Sequence, residues 1–321
     1  MNIKGGLKEI YQNPSLPSFL ILVGMITVNA ILQPTFFTYR VFKLNFLTFT
    51  PLILVSIAQA IIIIVGGIDL SIGASISLLT VLMASIMGDS FSSIILTLVC
   101  AFGLALLISL FNGFFISYIE APPLLVTYAT WIILFGIALF IKPTPGGYIP
   151  KHFYQAYRGD VLHIIPVPVL ILIIALLIWS VISKLRIYKH IYAVGGNAEA
   201  ARASGINVSL TKLKAFLLSG IFVALAAVCV VSQTATGDAR CGLGYTLNSV
   251  AASIIGGISF SGGKGSVAGA MMGGLILGLL INVLYFANIT SFYQEFMKGL
   301  IIVVSLAIGM IPKLRGERST V

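Results

Sequence analysis

The residue best placed to do chemistry in this sequence is Asp69, which stands in the segment GGIDLSIG at residues 66–73, between two apolar runs. Burying an acid at the centre of a membrane helix costs about 2.5–3.5 kcal/mol or more, so such a residue belongs at a helix end or in a functional break. The glycines let the backbone unwind there, and Ser71 or Asp69 can cap the helix that follows. The residues leave two interpretations open: a functional break between two membrane helices, or an ordinary helix end with an N-cap.

A second glycine-rich stretch, GGISFSGGKGS at residues 256–266, contains a lysine between two glycines. A phosphate-binding loop needs a glycine five residues before its Gly-Lys pair and Ser or Thr directly after the lysine. Ile258 and Gly265 occupy those two positions. The likeness to a dinucleotide-binding turn also fails, because no βαβ unit surrounds the stretch. We therefore expect that this chain does not bind ATP itself.

The remaining reactive side chains do not form an enzyme-like set. The cysteines are odd in number and lack metal-type spacing, the histidines are scattered, and no carboxylate pair or nucleophile–base set appears. We expect no catalytic residue, no metal and no cofactor, which argues against a membrane enzyme. The residues considered are Cys100, Cys229, Cys241, His152, His163 and His190.

The composition indicates that most of the chain lies in a membrane. Of its 321 residues, 59% are hydrophobic and 9% are charged, whereas soluble domains carry roughly 25% charged residues. At about 20 residues per span, this length allows about ten transmembrane helices in one all-α, polytopic membrane domain over residues 1–321. The net charge of +10 comes from loops and tails beside apolar runs. Basic residues there set orientation and contact anionic lipid, so nucleic acid is not an expected partner.

The apolar runs predict ten spans, of which residues 245–262 either cross the membrane or re-enter it. Ten crossings place both termini and the basic loop 184–214 on one side, which the positive-inside rule makes cytoplasmic. A re-entrant segment would instead leave the basic C-terminal tail outside. Residues 237–242 are expected to lie outside. The predicted spans are residues 18–32, 45–65, 73–87, 91–118, 124–141, 161–181, 215–234, 245–262, 266–286 and 292–311.

The basic loop 184–214 contains a predicted short helix at residues 197–204. Asn197 suits the N-cap, the alanines favour helix, and Glu199 lies in the first turn, where the helix dipole favours an anion. Gly205 suits the C-terminal stop. A short surface helix between two spans is typical of a docking element for a soluble partner; a solvated loop that only sets topology is the alternative.

This loop resembles that of a known family. The run Glu199-Ala200-Ala201 followed by Gly205 resembles the EAA–Gly loop of ABC importer permeases, and residues 192–208 are similar to the branch that imports ribose, xylose, galactose and related sugars. Residues 66–73 and 256–266 also resemble that branch. The resemblance implies a cytoplasmic coupling helix that fits a groove of a separate ATPase subunit. The coupling residues that it implies are Asn197, Glu199, Ala200, Arg202 and Gly205.

The same resemblance implies a translocation gate near glycine-broken helices. Residues 66–73 and 256–263 share GGI, a serine and a glycine, and glycine-broken segments in corresponding places of two halves point to a translocation site. Parallel and inverted symmetry both stay open. Asn112, in an apolar helix, either bonds to a neighbouring helix or contacts cargo. The gate residues implied are Gly67, Asp69, Ser71, Asn112, Ser259, Ser261 and Lys264.

Taken over the chain beyond Phe36, the resemblance implies the permease subunit of an ATP-driven monosaccharide importer in a bacterial cytoplasmic (inner) membrane. The implied partners are an ABC ATPase, a periplasmic or lipid-anchored sugar-binding protein, a second permease copy or sister permease, and membrane lipid. The alternative is an ion-coupled secondary sugar transporter. That class usually carries charges inside the membrane, for which Asp69 is the one candidate here. Which sugar is carried stays open.

Overall fold

The computed structural model describes residues 16–162 and 164–290 together with Tyr293, Phe296, Gly299 and Leu300, and over these residues the chain is almost entirely helical. A single two-residue antiparallel pairing, β1 with β2, interrupts the helices. In chain order the elements are α1 (Leu16–Leu32), α2 (Tyr39–Ile64), α3 (Ile72–Ile86), α4 (Phe91–Ser117), α5 (Pro123–Ile141), α6 (Lys151–Arg158), β1 (Asp160–Val161), β2 (Ile165–Pro166), α7 (Val167–Lys184), α8 (Arg186–Gly196), α9 (Ala198–Ala203), α10 (Val208–Thr234), α11 (Leu243–Ile255) and α12 (Val267–Phe286).

Helices α2, α10 and α12 form the centre of the bundle. In the most apolar stretch of α2, 89% of the residues are buried, and the shares for α10 and α12 are 72% and 61%. The shares for α4, α5 and α7 are only 33%, 22% and 22%, although these helices are equally apolar. A helix that is apolar all round and uncovered by protein suits hydrocarbon, so α4, α5 and α7 form the lipid-facing periphery.

The number of spans can be compared with the prediction over the described residues. Helices α2, α4, α5, α7, α10 and α12 are long and apolar enough to cross a membrane. The shorter apolar helices α1, α3 and α11 lie at further predicted spans. The helical membrane class is therefore confirmed. The total of about ten stays a prediction, because nearly all of the last predicted span, residues 292–311, falls outside the described part of the chain.

Two predicted spans have different limits in the structure. The span predicted at 161–181 begins only at Val167, because the β1–β2 hairpin occupies the residues before it. The stretch 245–262 is helical only within α11, and a loop follows Ile255. The 13 residues of α11 rise about 20 Å, which is less than the roughly 30 Å of a bilayer's hydrocarbon core. This helix alone is therefore not a full-length transmembrane helix.

The bundle has two distinct ends. At one, called the α9 end, α9 lies with the end of α2, the α4–α5 turn and the loop 256–266: Gly263 N donates to the carbonyl oxygen of Ile64 at 2.8 Å. The opposite end gathers the α3–α4 turn and residues 142–150, where the Tyr148 hydroxyl donates to Asp89 Oδ1 at 2.6 Å. The hydrogen bond raises the pKa of Tyr148, so its hydroxyl remains a donor.

The segment 237–242, predicted to lie outside, packs along α3. Gly237 and Gly146 exchange two backbone hydrogen bonds of 3.0 and 2.9 Å. The Gly242 N–H then donates to Ser77 Oγ at 3.0 Å. Non-helical backbone is tolerated at membrane depth where protein or water satisfies its polar groups. These bonds do so, which explains why a polar, glycine-containing segment enters the bundle.

Glycine lets α12 approach α2 closely. A Cβ atom added to Gly274 would lie 3.0 Å from both Ile53 Cα and Ser56 Oγ. Without the usual hydrophobic drive between helices in lipid, close approach of small residues supplies much of their attraction. The α2–α12 contact therefore depends on the absence of a side chain at residue 274.

We predict that Gly274→Val lowers the free energy of unfolding by about 1–3 kcal/mol, the usual cost of overpacking a filled interior. The measurement is thermal unfolding of the purified protein in detergent. Gly103→Val is the matched control, because Gly103 lies on lipid-facing α4 with no atom within 4 Å of an added Cβ. Equal melting temperatures for the two variants would contradict the packing described.

Candidate functional site

The break between α2 and α3 is organised by the carboxylate of Asp69, which is only 5% exposed. Its Oδ1 accepts hydrogen bonds from the Ser71 backbone N–H at 2.8 Å and from Ser71 Oγ at 2.6 Å. Short polar side chains favour such local bonds over a helical ladder. Asp69 therefore shapes the turn that starts α3, while the Ser71 side chain makes no cap bond to that helix.

Asn112 extends this contact into two neighbouring helices. Its Nδ2 donates to Ser71 Oγ at 2.9 Å, and Thr130 Oγ1 donates to its Oδ1 at 2.6 Å. Asn112 is fully buried, and both ends of its amide are thus satisfied by protein. The geometry favours the helix-packing interpretation of Asn112 over contact with cargo. Buried polar networks of this kind stiffen a structure when each member is satisfied.

Sequence reasoning missed two further members of this network. In the amide orientation that satisfies both its atoms, Gln59 of α2 donates to the Asp69 carbonyl at 3.0 Å and accepts from the Asp69 N–H at 3.2 Å. Thr127 Oγ1 accepts from the Leu70 N–H at 3.1 Å. The lone amide of Gln59 in the apolar run of α2 could have predicted a buried polar contact. The sequence does not distinguish Thr127 in the same way, because a threonine can bond within its own helix, as Thr127 does to the Pro123 carbonyl at 2.9 Å.

The other predicted gate residues lie in a separate loop, residues 256–266. The Ser259 N–H donates to the Lys264 carbonyl at 3.2 Å and closes the loop on itself. Ser261 and Lys264 are exposed, and Ser259 is half-buried. The structure therefore divides the predicted gate residues between two loops. Asp69, Ser71 and Asn112 form one bonded group, and Gly67 belongs to the same break, where its N–H donates to the Ile62 carbonyl at 2.9 Å.

Gly195, near the end of α8, connects the two loops through direct backbone contact. A Cβ added there would collide with the carbonyl oxygen of Ile64 and lie 2.8 Å from Gly263 N. A Cβ on Gly262 would lie 2.7 Å from the Gly195 carbonyl and 3.2 Å from Gly66 Cα. The ends of α2 and α8 and the loop 256–266 thus meet at a cluster of glycines: Gly66, Gly195, Gly262 and Gly263.

Tyr192 adds a side-chain bond to this contact. Its hydroxyl donates to the Gly265 carbonyl at 2.9 Å. Burial raises the pKa of Tyr192, so its hydroxyl stays protonated and remains a donor. Helix α8 is therefore bonded as well as packed to the loop 256–266.

The predicted short helix is present as α9 and directly follows α8. Asn197 caps it, accepting from the Ala200 N–H at 2.9 Å. Gly205 follows it with φ +81°, a left-handed conformation that suits glycine. Asn197, Glu199, Ala200, Arg202 and Gly205 are all exposed, while Ala201 faces inward. The residues expected to couple are thus all accessible to a partner.

A groove of about 320 Å³ runs beside α9, between it and the α4–α5 turn. Arg202 reaches across it to Glu120 at 3.7 Å, and both side chains are mostly exposed. Exposed pairs of this kind contribute little stability. Over the described residues, no cluster of three His, Cys, Asp or Glu side chains could hold a metal ion.

Comparison with known proteins identifies the class of this molecule. Residues 44–306 match the family described as branched-chain amino acid transport system, permease component. The chain belongs to this permease family. It is a family of transport permeases, and the long apolar helices agree with a multi-pass membrane protein. The family resemblance drawn from residues 66–73, 192–208 and 256–266 is confirmed.

Several curated relatives extend over nearly the whole chain. The ribose import permease protein RbsC of Haemophilus influenzae is 32% identical over 296 residues, covering 90% of this chain and 91% of the relative. The D-allose transport system permease protein AlsC of Escherichia coli is 30% identical, covering 91% and 90%. The galactose/methyl galactoside import permease protein MglC of E. coli is 28% identical, covering 92% and 94%. No solved structure gives a significant match.

We predict that Asp69→Ala abolishes uptake and lowers the free energy of unfolding by about 1–3 kcal/mol, because it removes the acceptor of two buried donors. Asp69→Asn keeps an oxygen in that place and should retain the stability, so its uptake reports whether the charge itself matters. The measurements are thermal unfolding in detergent and uptake by cells. Asp89→Ala, an exposed acid at the opposite end, is the control. An Asp69→Ala variant that melts and transports like the wild type would remove Asp69 from the site.

Proposed function

We propose that this chain is the permease subunit of an ATP-driven ABC importer and that a separate ATPase powers it by binding α9. The observation that carries this proposal is the continuous path from an exposed, capped helix to both glycine-broken loops. Helix α9 follows α8 directly, and α8 contacts the end of α2 and the loop 256–266 through Gly195. A force applied to α9 would therefore reach both loops without passing through flexible side chains.

The two loops have different parts in the proposed mechanism. The break at residues 66–71 is held by the Asp69–Ser71–Asn112 network, so it acts as a stiff anchor of the gate. The loop 256–266 has fewer bonds to its surroundings and exposes Ser261 and Lys264. It is the movable part, and Ser259, Ser261 and Lys264 line the translocation gate. When the ATPases close, α9 shifts and α8 displaces this loop against the anchor.

The cargo is a monosaccharide of the pentose or hexose class. The support comes from the relatives, whose names refer to ribose, allose, galactose and methyl galactoside.

The assembly consists of two permease subunits, as a homodimer or with a sister permease, two ATPases and an external sugar-binding protein. The membrane is the bacterial cytoplasmic membrane, and the α9 end faces the cytoplasm. Basic residues at this end support the orientation under the positive-inside rule. Ten crossings would bring both basic tails to the same side. The residues concerned are Lys184, Arg186, Lys189, Lys212 and Lys214.

We predict that Glu199→Arg and Gly205→Glu each uncouple ATP hydrolysis from uptake while the permease still folds and assembles. Glu199 presents a charge on the docking face, and Gly205 holds a φ that other residues adopt with strain. The measurement is the ratio of cargo moved to ATP hydrolysed in proteoliposomes containing permease, ATPase and binding protein. Lys184→Gln, an exposed change away from α9, should leave the ratio unchanged.

Normal coupling in both variants would contradict a docking role for α9. A further arm uses an ATPase that binds but does not hydrolyse ATP. Uptake that continues with this ATPase would instead identify an ion-coupled secondary transporter and refute the proposed function.

A further inference from the structure

The segment between α10 and α11 places a charged residue, Arg240, part-way along α3. Its start is fixed by Gly237, whose added Cβ would lie 2.7 Å from Ala84 Cβ and 2.9 Å from the Thr80 carbonyl. Its end is fixed by Gly242, which packs on Gly73 and Ser77. From Ala84 to Gly73, helix α3 rises about 16 Å. The segment therefore descends well inside the bundle from the end that holds residues 87–90 and 142–150.

Arg240 stands between these two fixed points. Its backbone is held in place, because its N–H donates to Asp238 Oδ1 at 2.8 Å and Thr80 Oγ1 contacts Cys241 Sγ at 3.4 Å. The side chain is exposed. It makes no ion pair or hydrogen bond with any residue that the structure describes. The backbone of Arg240 lies between the levels of Thr80 and Ser77 on α3. These levels are roughly 6–10 Å from Ala84 along the axis of α3, toward the α9 end.

The surface around Arg240 continues onto α11. Next to it, Gly244 and Leu247 are exposed, at the spacing of one helical face, so Arg240 lies beside an apolar side chain that the described residues leave uncovered. An unpaired guanidinium is not stable against hydrocarbon and is found beside water or another protein group. The Arg240 side chain therefore faces water or a protein group outside the described residues.

We propose that Arg240 lines the outer part of the translocation path and that its guanidinium donates hydrogen bonds to the hydroxyl oxygens of the incoming sugar. This inference rests on the proposed function and adds a cargo-contacting residue to it. A guanidinium presents several N–H donors in a rigid fork, which matches two neighbouring sugar hydroxyls as acceptors. The backbone bonds of residues 237–242 fix the level along α3 from which this side chain extends.

The first test measures uptake at limiting cargo for Arg240→Gln and Arg240→Lys in the complete importer. We expect Arg240→Gln to lower the rate about tenfold or more, as for the loss of one charge-assisted hydrogen bond. Arg240→Lys should retain part of the uptake rate, because the lysine ammonium is still a charged hydrogen-bond donor. Arg40→Gln, an exposed arginine at the start of α2, is the matched control and should leave uptake unchanged. Binding of the ATPase should be the same in all variants.

The second test separates a water-filled path from a lipid-facing or sealed position. Arg240→Cys is made with Cys100→Ser and Cys241→Ser, which leaves the buried Cys229, and is treated in cells with charged methanethiosulfonates. We expect the negatively charged sulfonatoethyl reagent to react, and cargo-loaded binding protein to slow that reaction. The positively charged aminoethyl reagent should restore part of the uptake. Leu96→Cys in the same background reports the lipid surface and should not react.

Two results would overturn the inference: normal uptake by Arg240→Gln, or an Arg240→Cys thiol as unreactive as Leu96→Cys. The thiol reaction needs no ATP. It therefore stays interpretable even where uptake proves independent of the ATPase, a result that would refute the proposed function and not the aqueous position of Arg240.

Discussion

The structure depends on one backbone contact, between Gly195 of α8, the carbonyl oxygen at the end of α2 and the loop 256–266. No side chain fits at Gly195, because an added Cβ would occupy the position of the Ile64 carbonyl oxygen. Backbone contacts at this distance have little freedom, since packed interiors respond to displacement as rigid bodies and not as fluids. The glycines at this junction therefore serve to bring three segments together rather than to make them flexible.

The two glycine-rich segments are bonded differently to their surroundings, although their sequences are similar. The break at residues 66–71 is tied to α2, α4 and α5 through Gln59, Asn112 and Thr127. The loop 256–266 has fewer such bonds: Gly263 N–H donates to the Ile64 carbonyl of α2, and its Gly265 carbonyl accepts from Tyr192 of α8. In the mechanism that we propose, one part of the gate remains in place while another moves. The difference in bonding supports that division, and α8 is the element that contacts both parts.

Local features of the site were predictable from the sequence, and its long-range contacts were not. The cap at Asn197, the stop at Gly205 and the turn at Asp69 depend on signals within a few residues, and the structure has all three. The junction at Gly195 joins segments far apart in sequence. With 32 glycines in the chain, composition does not show which of them form contacts. The polar composition of residues 237–242 predicted a position outside the membrane. Their packing along α3 was not predictable, because Ser77 and Gly146, which satisfy their backbone, belong to other segments of the chain.

The most direct test of the account compares Gly195→Ala with Gly196→Ala. These neighbours differ in one respect that matters here: a Cβ at Gly195 would collide with α2, whereas a Cβ at Gly196 would meet no atom within 4 Å. The measurement is cargo moved per ATP hydrolysed in the reconstituted importer. The account predicts that Gly195→Ala hydrolyses ATP with little uptake, while Gly196→Ala couples like the wild type. Equal, normal coupling in both variants would contradict it.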